Sequence, residues 1–233
     1  MKKIVTASIL ALISLTLHAQ VKITAPGVKW ENEYHFDRSN IFKVYFYSAK
    51  GELMRTMDYK THFQADGENF SVILVNDGRS NRVETIFDKT HEVAIQIFGG
   101  GSAEPFYNTG RYKYQDQSEL KKLDLIPTGE TREIAGYLCQ KFTYTYKKIF
   151  GEAWITGDVN LSNDYGIFRA AKMSALHNTL SVGGFLIDMT TEDAKGGKTL
   201  MQTISLNNPE KYYVNLKGVD MKTAINKVNY FVF

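Results

Sequence analysis

Apolar positions recur mostly at every second residue along this chain. In Leu53 to Phe63 the odd positions Leu53, Met57, Tyr59 and Phe63 are apolar, while the even positions Thr56, Asp58, Lys60 and His62 are polar. A period of two predicts a strand with one wet face. Phe70 to Val75, Val83 to Phe87 and Val93 to Ile97 read the same way. Between them stand Ala65-Asp66-Gly67, Asn76-Asp77-Gly78 and Asp88-Lys89-Thr90, which are turn residues. Turns this short make successive strands antiparallel neighbours, so the stretch from about residue 42 to 98 predicts a meander.

Gly99-Gly100-Gly101 ends that pattern, and residues 99–128 predict a long loop, with one short helix at Gln117 to Asp124. Alternation returns in Gly129 to Ile134, Tyr137 to Lys147 and Gly151 to Thr156. Tyr165 to Leu180 holds no Pro, and Phe168, Ala171 and Ala175 recur at helical spacing with Ile167 and Leu176 beside them. One main helix is predicted there, capped by Asn163 or Asp164 and stopped by Gly183-Gly184. Phe185 to Thr191 and Thr199 to Leu206 form a last hairpin around Lys195-Gly196-Gly197. Tyr212 to Phe233 reads both ways, with Tyr230 to Phe233 expected as an edge strand. The fold class expected is mostly β (α+β): one large curved antiparallel sheet, a half-barrel, with one main helix and a long loop.

The first residues change where this fold works. Lys2 and Lys3 precede the uncharged apolar stretch Ile4 to Leu17, and Leu17-His18-Ala19 offers a small residue before a cut at Gln20. That is the pattern of a cleavable secretory signal, and the stretch is short for a bilayer span of about 20 residues. Residues 1–19 are expected to be a signal peptide and 20–233 one domain with no transmembrane segment, periplasmic or secreted. Without the leader, 26 basic residues face 25 acidic ones, so the formal charge falls from +3 to +1. A nearly neutral chain has no global electrostatic reason to seek nucleic acid. The single cysteine, Cys139, excludes an intramolecular disulfide and is expected to be a small buried hydrophobe.

Candidate chemistry is sparse. Gly196-Gly197-Lys198-Thr199 resembles the end of a phosphate loop, but Glu192 stands where that motif needs Gly, and a strand follows. His35, His62, His91 and His177 show no metal-ligand spacing. His62 falls on the polar side of its strand, and Glu192-Asp193 lies beside a turn. No catalytic residue, metal or cofactor is indicated, and no reaction is specified. The aromatic faces are the informative feature. Tyr59, Phe63, Phe142, Tyr144 and Trp154 are the candidate ligand-binding residues. They suit either an ordinary core or the wall of an apolar cavity.

Four segments carry a resemblance: Glu84 to Thr90, Thr128 to Phe142, Glu152 to Thr156, and Phe185 to Thr191. In that order they resemble the domain-of-unknown-function 4412 family of secreted bacterial proteins, most specifically through Ile134-Ala135-Gly136-Tyr137 with Cys139, Lys141 and Phe142, followed by Trp154-Ile155-Thr156. The related GLPGLI group has a similar strand, but its naming motif is absent; Val182 to Ile187 is the nearest stretch. The resemblance implies a lipoprotein-carrier (LolA/LolB-like) fold, a curved half-barrel whose helices close an apolar cavity for acyl chains. It brings no catalytic residue and no ligand of its own. The function expected is a non-enzymatic periplasmic carrier holding a lipid-like or other apolar ligand in the concave face of its sheet. The alternative is an envelope interaction protein docking a partner through a strand edge or an aromatic patch.

Overall fold

A computed structural model describes residues 28–65, 67–75, 82–100, 103–111, 122–166 and 179–223. The expected signal peptide, the expected turn at Asn76-Asp77-Gly78, Gln117 to Lys121, and Ile167 to Asn178 lie outside the described residues, as does everything after Thr223.

The chain is mostly β. Strands β1 (Glu33–Tyr47), β2 (Leu53–Phe63), β3 (Phe70–Val75), β4 (Arg82–Asp88), β5 (Val93–Gly100) and β6 (Ala103–Arg111) form a first meander. After the short β7 (Lys122–Leu123), a second meander runs through β8 (Ile126–Ile134), β9 (Tyr137–Tyr146) and β10 (Ile149–Thr156). Then come β11 (Thr179–Leu180), β12 (Phe185–Glu192), β13 (Lys198–Asn215) and β14 (Lys222–Thr223). The sheet order is β14-β6-β5-β4-β3-β2-β1-β13-β12-β10-β9-β8. Its strands are antiparallel to their neighbours, except that β14 lies parallel to β6. A parallel pair, β7 with β11, stands apart. The two meanders are joined where the 15-residue β1 pairs with the 18-residue β13.

Several expectations need correction. Residues 103–111 are a strand, not loop: Gly100 pairs with Ala103, and Phe98 faces Phe106. The glycines end β5 but leave it free to turn back. Lys122–Leu123 extends beside Thr179–Leu180, so neither the short helix nor the main helix holds at those ends. Among the described residues there is no α-helix, only a 3-10 turn at Asn163–Tyr165. Ser162 caps it, accepting from the Asp164 N–H, while Asn163 bridges to Gly184 O and Leu186 N. The Gly196 hairpin turn is present, with φ of 85° and Asp193 N–H donating to Gly197 O at 2.9 Å.

Strand β1 explains why both faces of the first meander are dry. Tyr34 and Phe36 enter one apolar cluster, whereas Phe42 and Val44, also even-numbered, enter another. Register shifts between Phe36 and Phe42 change the phase of alternation. The backbone groups freed there find side chains: Asn207 N–H donates to Asn40 Oδ1 at 2.8 Å, and Asn208 Nδ2 donates to Ser39 O at 3.2 Å.

The larger cluster lines what we call the inner face. It runs from Phe42, Tyr59, Phe63 and Phe70 to Phe142, Ala153 and Ile187, under Leu123, Leu125, Val159 and Tyr165 from the connections. Tyr165 closes it, stacking on Phe63 at 4.6 Å while its carbonyl accepts from Asn40 and Thr61. The smaller cluster lies on the outer face of the first meander, under Val28, Trp30, Val219 and Met221.

Candidate functional site

Among the described residues, no such apolar cluster covers the outer face of the second meander. Antiparallel pairing sets its side chains in rows across the strands. One row is Ile126, Thr143, Glu152 and Thr190; the next is Thr145, Phe150, Glu192 and Lys198. Together with Tyr144 and Gly151 these residues line an open groove of about 460 Å³. That volume is in the range of small-molecule sites. Phe150 and Ile126 keep 57% and 65% of their surface exposed, large for apolar side chains beside a cavity.

The floor is held rigid from the inner side. The Tyr144 ring lies over Gly151 and donates its hydroxyl to Thr190 O at 3.1 Å, tying β9 to β12 across β10. A Cβ at Gly151 would collide with the Tyr144 ring and the Thr190 carbonyl, so only glycine fits.

Charged side chains border the groove in pairs. Glu192 meets Lys198 at 3.0 Å, and Lys141 meets Glu152 at 3.0 Å and Glu130 at 3.3 Å. Hydrogen bonding to Glu152 raises the Lys141 ammonium pKa, so it stays charged. One row further, the Arg132 guanidinium sits 4.3 Å from the Trp154 ring centroid and 3.3 Å from Asp188. Burial raises the Asp188 carboxyl pKa; the Thr203 N–H and Arg132 oppose that shift.

Of the five aromatic candidates, Tyr59, Phe63, Phe142 and Tyr144 belong to one buried cluster, and Trp154 packs against it partly buried. Tyr59, Phe63, Phe142 and Tyr144 are buried in the inner core, at 2%, 0%, 6% and 2% exposure. Trp154 pairs in register with Lys141 and Asp188, on the side opposite Ala153, and is half-buried beneath Arg132. Tyr144 also borders the groove. Phe150 and Ile126 were missed. The available signal was parity: Phe150 shares the even, outward phase of Glu152 and Trp154 in β10.

His62 is also corrected: it is buried, not wet. It stacks on Tyr212 at 4.0 Å, near Phe36, in a polar cluster on the outer face of the first meander. Ser71 lies opposite it across β2 and β3. Glu84 accepts from Tyr212 at 2.7 Å, and Glu210 accepts from Lys60 at 2.6 Å and Ser39 at 2.7 Å. Burial would raise the Glu210 pKa, but the Lys60 and Ser39 hydrogen bonds and the Lys60 charge outweigh it and hold it at about 2. Ser71, His62 and Glu84 are at most 2% exposed, which leaves a substrate no approach to a serine nucleophile. Cys139 is fully buried, and burial pushes its thiol up to about 11. No group of three or more metal-ligating side chains occurs among the described residues. None of their helices is long and apolar enough to cross a membrane.

No family model matches the chain, and no curated protein matches it. Among solved structures it is similar to PNGF-II in its C2 and P21 crystal forms, at 14% and 12% identity and a TM-score of 0.38 for each. The match covers 80% of this chain and 31% and 32% of those chains, so this chain spans about a third of their length.

Proposed function

We propose that this chain is an exported, non-enzymatic binding protein of the cell envelope that holds its ligand in the open groove on the outer face of β8, β9, β10 and β12. The observation that carries this reading is a contrast. The inner face is closed by packed side chains, whereas the groove keeps Phe150 and Ile126 exposed above a polar floor. An apolar surface left beside a cavity marks a binding site more often than a folding defect. The groove carboxylates are engaged by lysines, which favours holding over proton transfer. Docking through the β8 edge is less favoured. That edge carries Pro127, a bulge at Gly129 with φ of 83°, and the charges of Glu130, Arg132 and Glu133, all of which discourage strand addition.

The carrier reading, with a lipid-like ligand in a half-barrel, places the ligand against Tyr59, Phe63, Phe142, Tyr144 and Trp154. Its support is that the first four rings belong to one cluster spanning both meanders and Trp154 packs against it. It requires them to part. Native mass spectrometry of mature protein, purified from the periplasm without detergent, separates the two. An adduct lost in Phe150→Ala is expected. An adduct that survives Phe150→Ala and extracts as lipid overturns the groove reading and moves the ligand inside.

A further inference from the structure

We propose that the groove takes a neutral oligosaccharide, an inference that rests on the groove being the binding site. Its lining forms a small grid set by the sheet. Thr143, Glu152 and Thr190 stand side by side on β9, β10 and β12, at an inter-strand spacing of about 4.8 Å. Thr145, Phe150 and Glu192 form the parallel row two residues, or about 6.8 Å, along the strands. One aromatic face therefore lies among three hydroxyls and two carboxylates, with the Lys198 ammonium at the end of the row. A sugar ring offers the complement: a C–H face that packs on an aromatic ring, and equatorial hydroxyls that donate to carboxylates and exchange hydrogen bonds with threonines.

Other ligand classes fit less well. An acyl chain in this groove would strip water from the threonine hydroxyls and the two ion pairs without replacing their hydrogen bonds. An anionic ligand would meet two carboxylates that already engage the bordering lysines, Lys141 on Glu152 and Lys198 on Glu192, so the groove offers it no surplus positive charge. An added peptide strand needs a free backbone edge, and this floor is mid-sheet, with β9, β10 and β12 paired on both sides. The groove is open and runs across several strands, which suits a chain of sugar units more than one enclosed ring.

The test is titration of mature, isotope-labelled protein with cellohexaose, chitohexaose and maltohexaose, read by amide chemical shifts. Dodecanoate serves as an apolar probe. At least one hexasaccharide is expected to move Thr143, Thr145, Phe150 and Thr190 saturably, with half-saturation at or below about 1 mM. Phe150→Ala should weaken that binding about tenfold or more, as truncating an aromatic anchor does. Leu138→Ala, an exposed apolar position outside the groove lining, should leave it unchanged. Groove shifts from dodecanoate with none from the sugars overturn the saccharide assignment and leave the groove as a site. No saturable groove shift from any sugar at its solubility limit, with a Phe150-dependent adduct still seen in the native protein, does the same. If that adduct is also absent, the groove reading falls with it.

Discussion

Strand β3 buries the five residues from Phe70 to Leu74, while β8 buries none of its nine. Both belong to the same sheet and both arise from meander turns. They differ in what lies over them. Tyr165 closes the inner face above β3, and the second apolar cluster seals the outer face of that meander beneath Val28, Trp30 and Met221. The second meander shares the inner core, but among the described residues no equivalent cluster covers it outside. Alternation along a strand reports two faces. It does not report whether a distant segment returns to cover the polar one, as Tyr212 and Phe36 do over His62.

The largest effect that tests this contrast is in the first meander. Phe42 has no exposed surface and packs in the main cluster. Phe42→Ala should cost about 3–5 kcal/mol, measured by urea unfolding of residues 20–233. A loss below about 1 kcal/mol would mean that the inner face is loosely filled, which would favour a ligand there over one in the groove.

Gly151→Ala comes next. Its new methyl meets the Tyr144 ring and the Thr190 carbonyl, so β10 and β12 must separate or the tyrosine must swing out. The expected loss is about 1–3 kcal/mol. Because Tyr144 and Gly151 both border the groove, the same change should reshape it. A stability loss without any change in amide shifts of Thr143 and Thr190 would show that floor and groove are independent.

The pH dependence is a smaller effect. Glu210 is held at about 2 against a usual 4.5, so its folded state prefers the carboxylate. The stability it contributes is fully present above about pH 4.5 and is lost as pH falls toward 2. Lys60→Met removes the nearest cation and should flatten the acid limb between those values, with little change at neutral pH beyond the loss of a partly exposed pair. An acid limb unchanged by the substitution would remove Lys60 as the cause of the Glu210 shift.

Much of the sheet was legible in the chain. Short turns and period-two alternation locate β2 to β5, β9, β10 and the β12–β13 hairpin, because those elements are local. The first half of β1 was not legible, since its bulges reverse the phase between Phe36 and Phe42 and disguise one strand as irregular chain. Strand β6 was hidden by the glycines before it and by Pro105, which looks like a breaker but sits beyond the short β14 pairing, where its missing N–H costs nothing. The aromatic set divides for a related reason. Of the expected set Tyr59, Phe63, Phe142, Tyr144 and Trp154, the first four lie in the main cluster, while Trp154, of opposite parity to Ala153 and Ile155, packs against it partly buried. Parity sets Phe150 outward with Glu152, but parity does not tell that, among the described residues, no apolar cluster covers that face of β10.

Phe150→Ala provides the smallest stability change and the sharpest test of the comparison. The ring is 57% exposed and faces the groove, so its removal should shift unfolding by less than about 0.5 kcal/mol. Against the several kcal/mol expected at Phe42, that ratio separates a ring retained for folding from one retained for contact. Measured by the same urea titration, a cost above about 1 kcal/mol would show that Phe150 is packed against something that stabilises the fold. The outer face of the second meander would then be covered, as the first is, and the groove would lose its claim as a site. A negligible cost, combined with loss of the native adduct, would leave ligand contact as the remaining physical reason for a phenyl ring beside Glu152 and Glu192.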